Sequence, residues 1–214
     1  MNININNDQA AMNFLAHIYL SGTNDDIKIG NFIGDYVKGR KYLQYRTNIR
    51  KGIILHRNID DYTDKSKIPQ PVKNLLKPFY RRYAGIVVDV LYDHCLSKNW
   101  EYFCQTPLEE YVNNFHKLLR REFSVLPRQV QNFVPRMIQH NRILSYRETT
   151  GLHQSLTVMA KHTSLPDKAD QAIDVLLKNY STINDNFLEF FPMLIKYVKK
   201  VHSIDIQYNF NSQT

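Results

Sequence analysis

Residues 82–96, RYAGIVVDVLYDHCL, have the apolar content of a buried helix, yet they include Asp89, Asp93 and His94. We expect this helix to begin near Pro78. At about 100° per residue, Asp93 falls in the middle of the apolar face, with Asp89 and His94 on opposite flanks. An unpaired buried carboxylate costs free energy, so Asp93 is expected to be hydrogen-bonded, ion-paired or bound to a metal.

A second helix is predicted over TNIRKGIILHRNIDDYTD, residues 47–64. On its helical wheel, His56 and Asp60 point the same way as Ile53. His56 and Asp60 are four positions apart, so their Cβ atoms are expected about 5–6 Å from each other on one helix face. A histidine and an aspartate that continue an apolar stripe indicate a polar site within the core.

A third helix is predicted over KIGNFIGDYVKG, residues 28–39. Asn31 and Asp35 lie four positions apart and off its apolar stripe. Gly30 and Gly34 flank them, and glycines permit the close approach of another helix or of a ligand. The alternative for Asp35 is a surface position without function.

The rest of the chain also has the helical period, without a convincing alternation of apolar and polar residues. We predict an all-α, single-domain bundle of about eight helices. The domain is assigned to residues 12–202, between a flexible leader over residues 1–11 and a polar tail over residues 203–214. A long C-terminal helix is expected from Ala169 onward, with a kink or interruption at Pro192.

The composition is that of a globular protein with a basic balance. Apolar residues make up 43% of the 214 residues, the net charge is +8 at pH 7, and the pI is about 9.4. This balance favours an anionic partner such as nucleic acid, anionic lipid or an acidic protein. The two cysteines have neither disulfide-framework nor zinc-ligand spacing, and no apolar run approaches the ~20 residues that a membrane span needs. We therefore expect a cytoplasmic protein without a secretory signal, with Met12 as an alternative start.

The polar residues on the predicted helices offer carboxylates and imidazoles but no thiolate. Such donors suit Mn²⁺, Mg²⁺ or Fe²⁺, and Zn²⁺ is also compatible. Helical folds build metal sites from inward-pointing Asp, Glu and His side chains, and a bound cation turns water into a nucleophile near neutral pH. Arg57 and Arg82 would hold a phosphate, which favours metal-assisted hydrolysis of a phosphoester. The alternative is a structural ion pair between Arg82 and Asp89 or Asp93.

Five segments, in this order, resemble the acyl carrier protein phosphodiesterase family: NFLAH (13–17), GNFIGDYVKG (30–39), GIILHRNIDDYTD (52–64), RRYAGIVVDVLYDHCL (81–96) and FLEFFPML (187–194). The likeness is weaker beyond Trp100. It implies a divergent HD-domain-like metal phosphohydrolase that acts in fatty acid biosynthesis. Such enzymes hydrolyse holo acyl carrier protein to the apo form and 4′-phosphopantetheine, with Mn²⁺ or Mg²⁺.

The resemblance also implies roles for individual residues. It implies four metal ligands, which are Asp35, His56, Asp60 and Asp93. His94 would be a metal ligand or the acid that protonates the departing serine oxygen. His17 is the other candidate for that acid, and Asp89 is a third candidate catalytic residue. Arg57 or Arg82 would offset charge on the phosphoryl oxygens.

Two positions depart from the family pattern. Relatives often have histidine where Tyr19 stands, so His17 lacks the partner that would make the first motif a metal-binding pair. Relatives often have an aromatic residue where Cys95 stands.

The partner implied by the resemblance is acyl carrier protein, a strongly acidic protein that a chain of charge +8 would attract. Charge alone would attract nucleic acid equally well. Two other functions stay open at this point: an HD-type hydrolase of a nucleotide or another small phosphoester, and a helical module that binds carrier protein or nucleic acid without catalysis. The oligomeric state is open as well.

Overall fold

The computed structural model describes residues 14–206, and every regular element in that range is a helix. The prediction of an all-α class is therefore confirmed. The predicted number of about eight helices is too low, since twelve α-helices occur in the described range: α1 (Phe14–Leu20), α2 (Asp25–Phe32), α3 (Thr47–Lys65), α4 (Gln70–Tyr80), α5 (Ala84–Lys98), α6 (Trp100–Phe103), α7 (Leu108–Arg121), α8 (Arg128–Gln139), α9 (Arg142–Ser145), α10 (Thr149–His162), α11 (Ala169–Lys178) and α12 (Tyr180–His202).

Four short 3₁₀ helices lie between the α-helices, at Gly34–Tyr36, Gly39–Gln44, Arg81–Tyr83 and Phe123–Val125. The first of them corrects the third predicted helix. The α-helix ends at Phe32 rather than continuing through the apolar stripe, and the chain tightens into the 3₁₀ turn that carries Asp35.

The helix that carries Asp93 does not begin at Pro78, which corrects the predicted start. Pro78 lies within α4, and that helix ends at Arg81, whose φ of 48° is incompatible with a right-handed helix. A 3₁₀ turn follows, and α5 begins at Ala84. A single wheel drawn from Pro78 therefore combines two separate helices.

Helix α5 is the central helix of the bundle. It packs against α1, α4, α10 and α12, and all of its residues from Val90 to Ser97 are buried. This part of the helix therefore has no solvent face. Asp93 and His94 are consequently both buried, although they point in different directions.

The C-terminal part differs from its prediction in two ways. The chain breaks at Asn179 between α11 and α12, and α12 then runs through Pro192 without ending. Ile204 and Ile206 are buried in the core, so the predicted polar tail packs against the domain at least to residue 206. The predicted leader over residues 1–11 and residues 207–214 of the predicted tail lie outside the described residues.

Two glycines set the spacing between α2 and α3. A Cβ atom on Gly30 would overlap the carbonyl oxygen of Ile49, and one on Gly52 would overlap the carbonyl oxygen of Ile27. The two backbones touch directly, with an added Gly52 Cβ only 2.8 Å from the Cα of Gly30. This contact brings the end of α2 beside the middle of α3.

Within residues 14–206, no helix is both long and apolar enough to cross a membrane.

Candidate metal centre

Three side chains from α1 and α3 converge on one point. His17, His56 and Asp60 each direct one potential ligand atom to a common place, where these atoms all lie within 4.8 Å of one another. His17 Nε2 is 3.4 Å from Asp60 Oδ1, and His56 Nε2 is 3.3 Å from Asp60 Oδ2. The predicted pair on α3, His56 and Asp60, therefore acquires its third member from α1.

Asp35, on the 3₁₀ turn after α2, approaches the cluster from the side of His56. Its Oδ1 lies 3.3 Å from His56 Nε2. Gly34, the residue before it, leaves room for the imidazole, because a Cβ atom there would overlap the ring of His56. Gly34 thus permits the close approach that the sequence suggested, and the group that approaches it is the imidazole of His56 on the neighbouring helix.

The imidazole of His17 is held in one orientation by Asn31. The Asn31 side-chain nitrogen donates to the His17 carbonyl oxygen at 2.7 Å and to Ser21 Oγ at 3.0 Å. Its Oδ1 is then an acceptor, so the hydrogen of His17 lies on Nδ1, 2.7 Å away. Nε2 is then directed at Asp60. Such a contact to the remote nitrogen is usual for histidines that bind metals.

The imidazole of His56 is buried without a hydrogen bond to either of its nitrogens. Its Nε2 nevertheless lies between the carboxylates of Asp35 and Asp60, in contact distance but not in hydrogen-bond geometry. An unsatisfied buried polar atom costs about 1–3 kcal/mol. A cation between the three groups accounts for the arrangement, because lone pairs that converge on an ion do not bond to each other.

The spacing of the donor atoms also fits a small divalent ion. Ligands about 2.1 Å from one ion, at angles between about 90° and 110°, stand about 3.0–3.4 Å apart. The donor separations of 3.3 and 3.4 Å fall in this range. Two imidazole nitrogens with carboxylate oxygens suit Mn²⁺, Fe²⁺ or Zn²⁺, and Mg²⁺ less well.

The charges in the cluster are strongly coupled. Burial lowers the pKa of His17, but the hydrogen bond and charge of Asp60, aided by Asn31 and Asp35, raise it overall to about 9. Burial conversely raises the pKa of Asp60, and the nearby His17, His56 and Lys38 reverse this, so that it falls below its usual value. Without a metal, His17 is thus an imidazolium paired with the Asp60 carboxylate.

The cluster opens to solvent on the side of Asp60. The side chain of Asp60 is 46% exposed, whereas those of His17 and His56 are 4% and 6% exposed. A substrate can therefore reach the carboxylate side of the site, while the imidazoles remain in the core.

Asp89 also belongs to these surroundings. Its carboxyl group on α5 is half-buried, and burial, together with the charge of Asp60, raises its pKa to about 8. The positive charges of His17 and Lys73 act in the opposite direction. The predicted ion pair with Arg82 is not formed, because the Arg82 guanidinium donates instead to the hydroxyl of Tyr83 at 2.7 Å.

Asp93 caps α1, which changes the role predicted for it. Its two carboxylate oxygens accept the backbone N–H groups of Leu15 and Ala16, each at 2.9 Å. These are unpaired donors of the first turn of α1, which a carboxylate satisfies well. Burial raises the pKa of Asp93 to about 7, and the two backbone hydrogen bonds oppose this shift. Because Asp93 is not among the side chains whose donor atoms converge, we assign it the positioning of His17 on the same turn.

His94 does not face the cluster, so its predicted role as an acid is not supported by its position. Its Nδ1 is 2.8 Å from the carbonyl oxygen of Tyr146, and its ring meets Tyr180 edge-on. Burial lowers its pKa, and the charged groups that act on it are Lys98 and Glu148. The helical wheel located His94 on the opposite flank from Asp89. In the structure the two side chains accordingly have different neighbours: His94 contacts Tyr146, whereas Asp89 lies near Asp60 and His17.

The two arginines predicted to hold phosphate are placed differently. Arg57 donates to the carbonyl oxygens of Val37 and Gly39, at 2.6 and 3.0 Å, and lies over the ring of Tyr42. It thus fastens the segment that follows Asp35. Arg82 lies at the exposed turn before α5.

Comparison with known proteins bears on this helical site. A family model described as acyl carrier protein phosphodiesterase matches residues 12–194. The chain belongs to the acyl carrier protein phosphodiesterase family. The match to this family includes every residue of the cluster and begins at Met12, just after the predicted leader.

Individual members of the acyl carrier protein phosphodiesterase family match over nearly their whole length. The chain is 30% identical over 189 residues to the acyl carrier protein phosphodiesterase of Enterobacter sp. (strain 638), covering 88% of this chain and 98% of the relative. The chain is 30% identical over 193 residues to the protein of the same name from Klebsiella pneumoniae (strain ATCC 700721 / MGH 78578), covering 86% of this chain and 96% of the relative. It is 26% identical over 186 residues to that of Photorhabdus laumondii, covering 86% of this chain and 94% of the relative. No solved structure matches the chain.

Sequence reasoning underestimated two residues of this site. His17 was considered as an acid, and its apolar surroundings gave no sign that it meets His56. Asn31 was recognised only by its spacing from Asp35, although an amide beside a glycine that permits close helix contact is a usable signal for a positioning residue.

Proposed function

We propose that this chain is a metal-dependent phosphodiesterase that converts holo acyl carrier protein to apo acyl carrier protein and 4′-phosphopantetheine. The observation that supports a bound metal is the buried imidazole of His56, which has no hydrogen-bond partner and faces two carboxylates. Family membership supports the choice of substrate, because the relatives are named for this activity.

We assign the cation to four ligands, which are His17, His56, Asp60 and Asp35. We propose Mn²⁺, with Fe²⁺ and Mg²⁺ as alternatives, because imidazole nitrogens combined with carboxylate oxygens suit the first two better. When bound, the cation supplies Lewis-acid activation of the phosphodiester and of a water molecule. His17 must lose its extra proton to bind, and Asn31 then keeps its Nε2 directed at the site.

Asp89 is the group that we propose as the proton donor to the departing serine oxygen. Its pKa of about 8, caused first by burial, keeps a proton on a carboxyl oxygen near neutral pH. It faces the charges of Asp60 and His17, whereas His94 faces Tyr146. Asp93 acts indirectly by holding the turn of α1 that carries His17.

The experiment is mass spectrometry of holo acyl carrier protein incubated with the chain and Mn²⁺. We expect the carrier to lose the mass of 4′-phosphopantetheine, and we expect His56→Ala or EDTA to prevent the loss. A carrier that stays intact while a nucleotide or another small phosphodiester is cleaved would replace this substrate with the small phosphoester. An intact carrier with no cleavage of any phosphoester would favour a binding module.

We also propose a cytoplasmic location and a role in fatty acid biosynthesis. Cys95 and Cys104 are both free thiols, as is usual in a reducing compartment. The proposed substrate is the carrier of growing acyl chains, so the location and the process follow from the proposed activity.

A further inference from the structure

Positive charge is concentrated in the part of the chain that builds the metal centre. Residues 27–59 contain eight lysine and arginine side chains, and the only acidic residue among them is Asp35. The whole chain has 28 basic and 20 acidic residues. The basic balance of the protein therefore arises largely from this segment, rather than from an even excess over the surface.

Several of these charges have no internal partner. Arg46 pairs with Asp26 and Glu122, and Arg57 bonds to carbonyl oxygens. Within residues 27–59, the exposed cations with no carboxylate partner among the described residues are Lys38, Arg40, Lys41 and Lys51. Exposed charges without partners are available for a second molecule.

Three of these cations, Lys38, Arg40 and Lys41, lie beside the entrance to the cluster. Lys38 is close enough to Asp60 to act on its ionisation, in the same direction as His17 and His56. The 3₁₀ helix Gly39–Gln44, which carries Arg40 and Lys41, contacts α3 and is fastened to it by Arg57. A segment held in this way presents its charges at a fixed position relative to the metal centre.

One exposed apolar side chain lies on the same 3₁₀ helix. Leu43 is 46% exposed and follows Arg40 and Lys41 in the segment. An exposed aliphatic side chain among charged ones is typical of a protein-binding surface. A surface for nucleic acid usually has aromatic side chains on which bases stack, whereas Leu43 is aliphatic.

We propose that the basic platform, defined as Lys38, Arg40 and Lys41 with Leu43, docks an acidic surface of the carrier protein and delivers its phosphodiester to the metal centre. The inference rests on the proposed function for the identity of the partner. The platform attracts the carrier by charge and contacts it through Leu43, while Arg57 positions the platform.

The test compares two double charge reversals in the full chain. Arg40→Glu with Lys41→Glu removes platform charge without touching the cluster. Lys161→Glu with Lys168→Glu makes the same change in net charge on exposed positions of α10 and its following loop. All four side chains are exposed, and thermal unfolding will confirm that both variants keep the fold.

Binding of holo carrier protein is measured by calorimetry in a His56→Ala background, so that no hydrolysis is needed. We expect the platform variant to raise Kd by at least about tenfold at low salt and the control to change it less than about twofold. Hydrolysis of bis(p-nitrophenyl) phosphate by the two variants with His56 present should equal that of the unaltered chain.

The outcomes test the proposed docking surface and the proposed hydrolysis independently. Equal effects of the two double variants on carrier binding overturn the platform, even if the carrier is cleaved. Binding that depends on the platform without cleavage overturns the proposed hydrolysis and leaves the docking surface standing. A larger loss of binding to an RNA oligonucleotide than to the carrier overturns the platform as a protein surface.

Discussion

The imidazole rings of His17 and His56 are stacked with their centroids 4.3 Å apart, at an interplanar angle of 28°. Two stacked imidazoliums would repel each other in a buried site. Asp60 stabilises a proton on His17 in the metal-free protein. A divalent cation at the proposed site would replace this proton with a larger charge that both rings can share.

The metal centre can be tested with two adjacent aspartates. Asp60→Asn removes a ligand charge, and we expect it to weaken Mn²⁺ binding by at least about tenfold, measured by calorimetry. Asp61→Asn is the control, because Asp61 is exposed and pairs only with Lys65. Equal affinities of the two variants for Mn²⁺ would mean that the metal binds elsewhere or that the protein binds none.

The capping role of Asp93 predicts a loss of stability that does not depend on metal. In EDTA, Asp93→Ala should lower the free energy of unfolding by about 2–4 kcal/mol, because two backbone N–H groups lose their acceptor in the core. Urea unfolding measures this change. Asp64→Ala on the surface should shift it by less than about 0.5 kcal/mol. If Asp93→Ala is as stable as its control in EDTA, Asp93 is not a cap.

The proton on His17 predicts a pH dependence of the metal-free protein. Its pKa is about 9 in the folded chain, above the ordinary 6.5, so the folded state binds the proton more tightly. The resulting stabilisation is fully present below pH 6.5 and is lost as the pH rises through 9. Because Asp60 is half-exposed and screened, we expect a loss of about 2 kcal/mol.

Urea unfolding in EDTA at pH 6, 7.5 and 9 measures this loss, and His17→Asn is the comparison. Asp89 and Asp93 also have raised pKa values, about 8 and 7, and they reduce stability with rising pH in both proteins. The difference between the two proteins gives the contribution of His17 together with its effect on the pKa values of Asp89 and Asp93. A difference that does not change with pH contradicts the ion pair with Asp60.

The proposed proton donor can be distinguished from the histidine that the sequence also favoured. Asp89→Asn should lower kcat for holo carrier protein by about 10²–10³-fold with little change in Mn²⁺ binding, because an amide cannot donate the proton. His94→Asn should leave kcat nearly unchanged, since His94 bonds to the carbonyl of Tyr146 away from the cluster. The reverse order of effects would return the role to His94.

The close approach of α2 and α3 predicts an unequal response of glycines to alanine. Gly30→Ala should reduce the free energy of unfolding by about 3 kcal/mol, because its Cβ would overlap backbone atoms that cannot move independently. Gly85→Ala on α5 should be neutral or stabilise by up to about 1 kcal/mol, since only the flexible end of Lys73 lies 3.5 Å away. Thermal and urea unfolding check both, and a tolerated Gly30→Ala would contradict the backbone contact.

The features that the sequence predicted well are local ones. His56 and Asp60 share a face because one helix contains both, and the apolar period around Asp93 correctly indicated its burial. A helical repeat determines such relations within a few residues. The family resemblance linked motifs that lie on different helices, which the periodicity of a single helix cannot do.

The features that sequence reasoning could not reach depend on tertiary contacts. The partner of Asp93 is the first turn of α1, 77 and 78 positions away, and a helical wheel contains no information about it. His94 likewise meets a carbonyl oxygen 52 positions away. Asp35 reached the cluster only because the helix ended at Phe32, which the apolar pattern did not indicate.

The glycine contact between α2 and α3 has a consequence for anyone who wishes to transplant this centre into another helical scaffold. Copying the four donor side chains would not be enough, because their meeting point depends on two helix backbones that lie closer than side chains normally allow. Gly30 and Gly52 would have to be carried over with the ligands, although neither ever touches the ion.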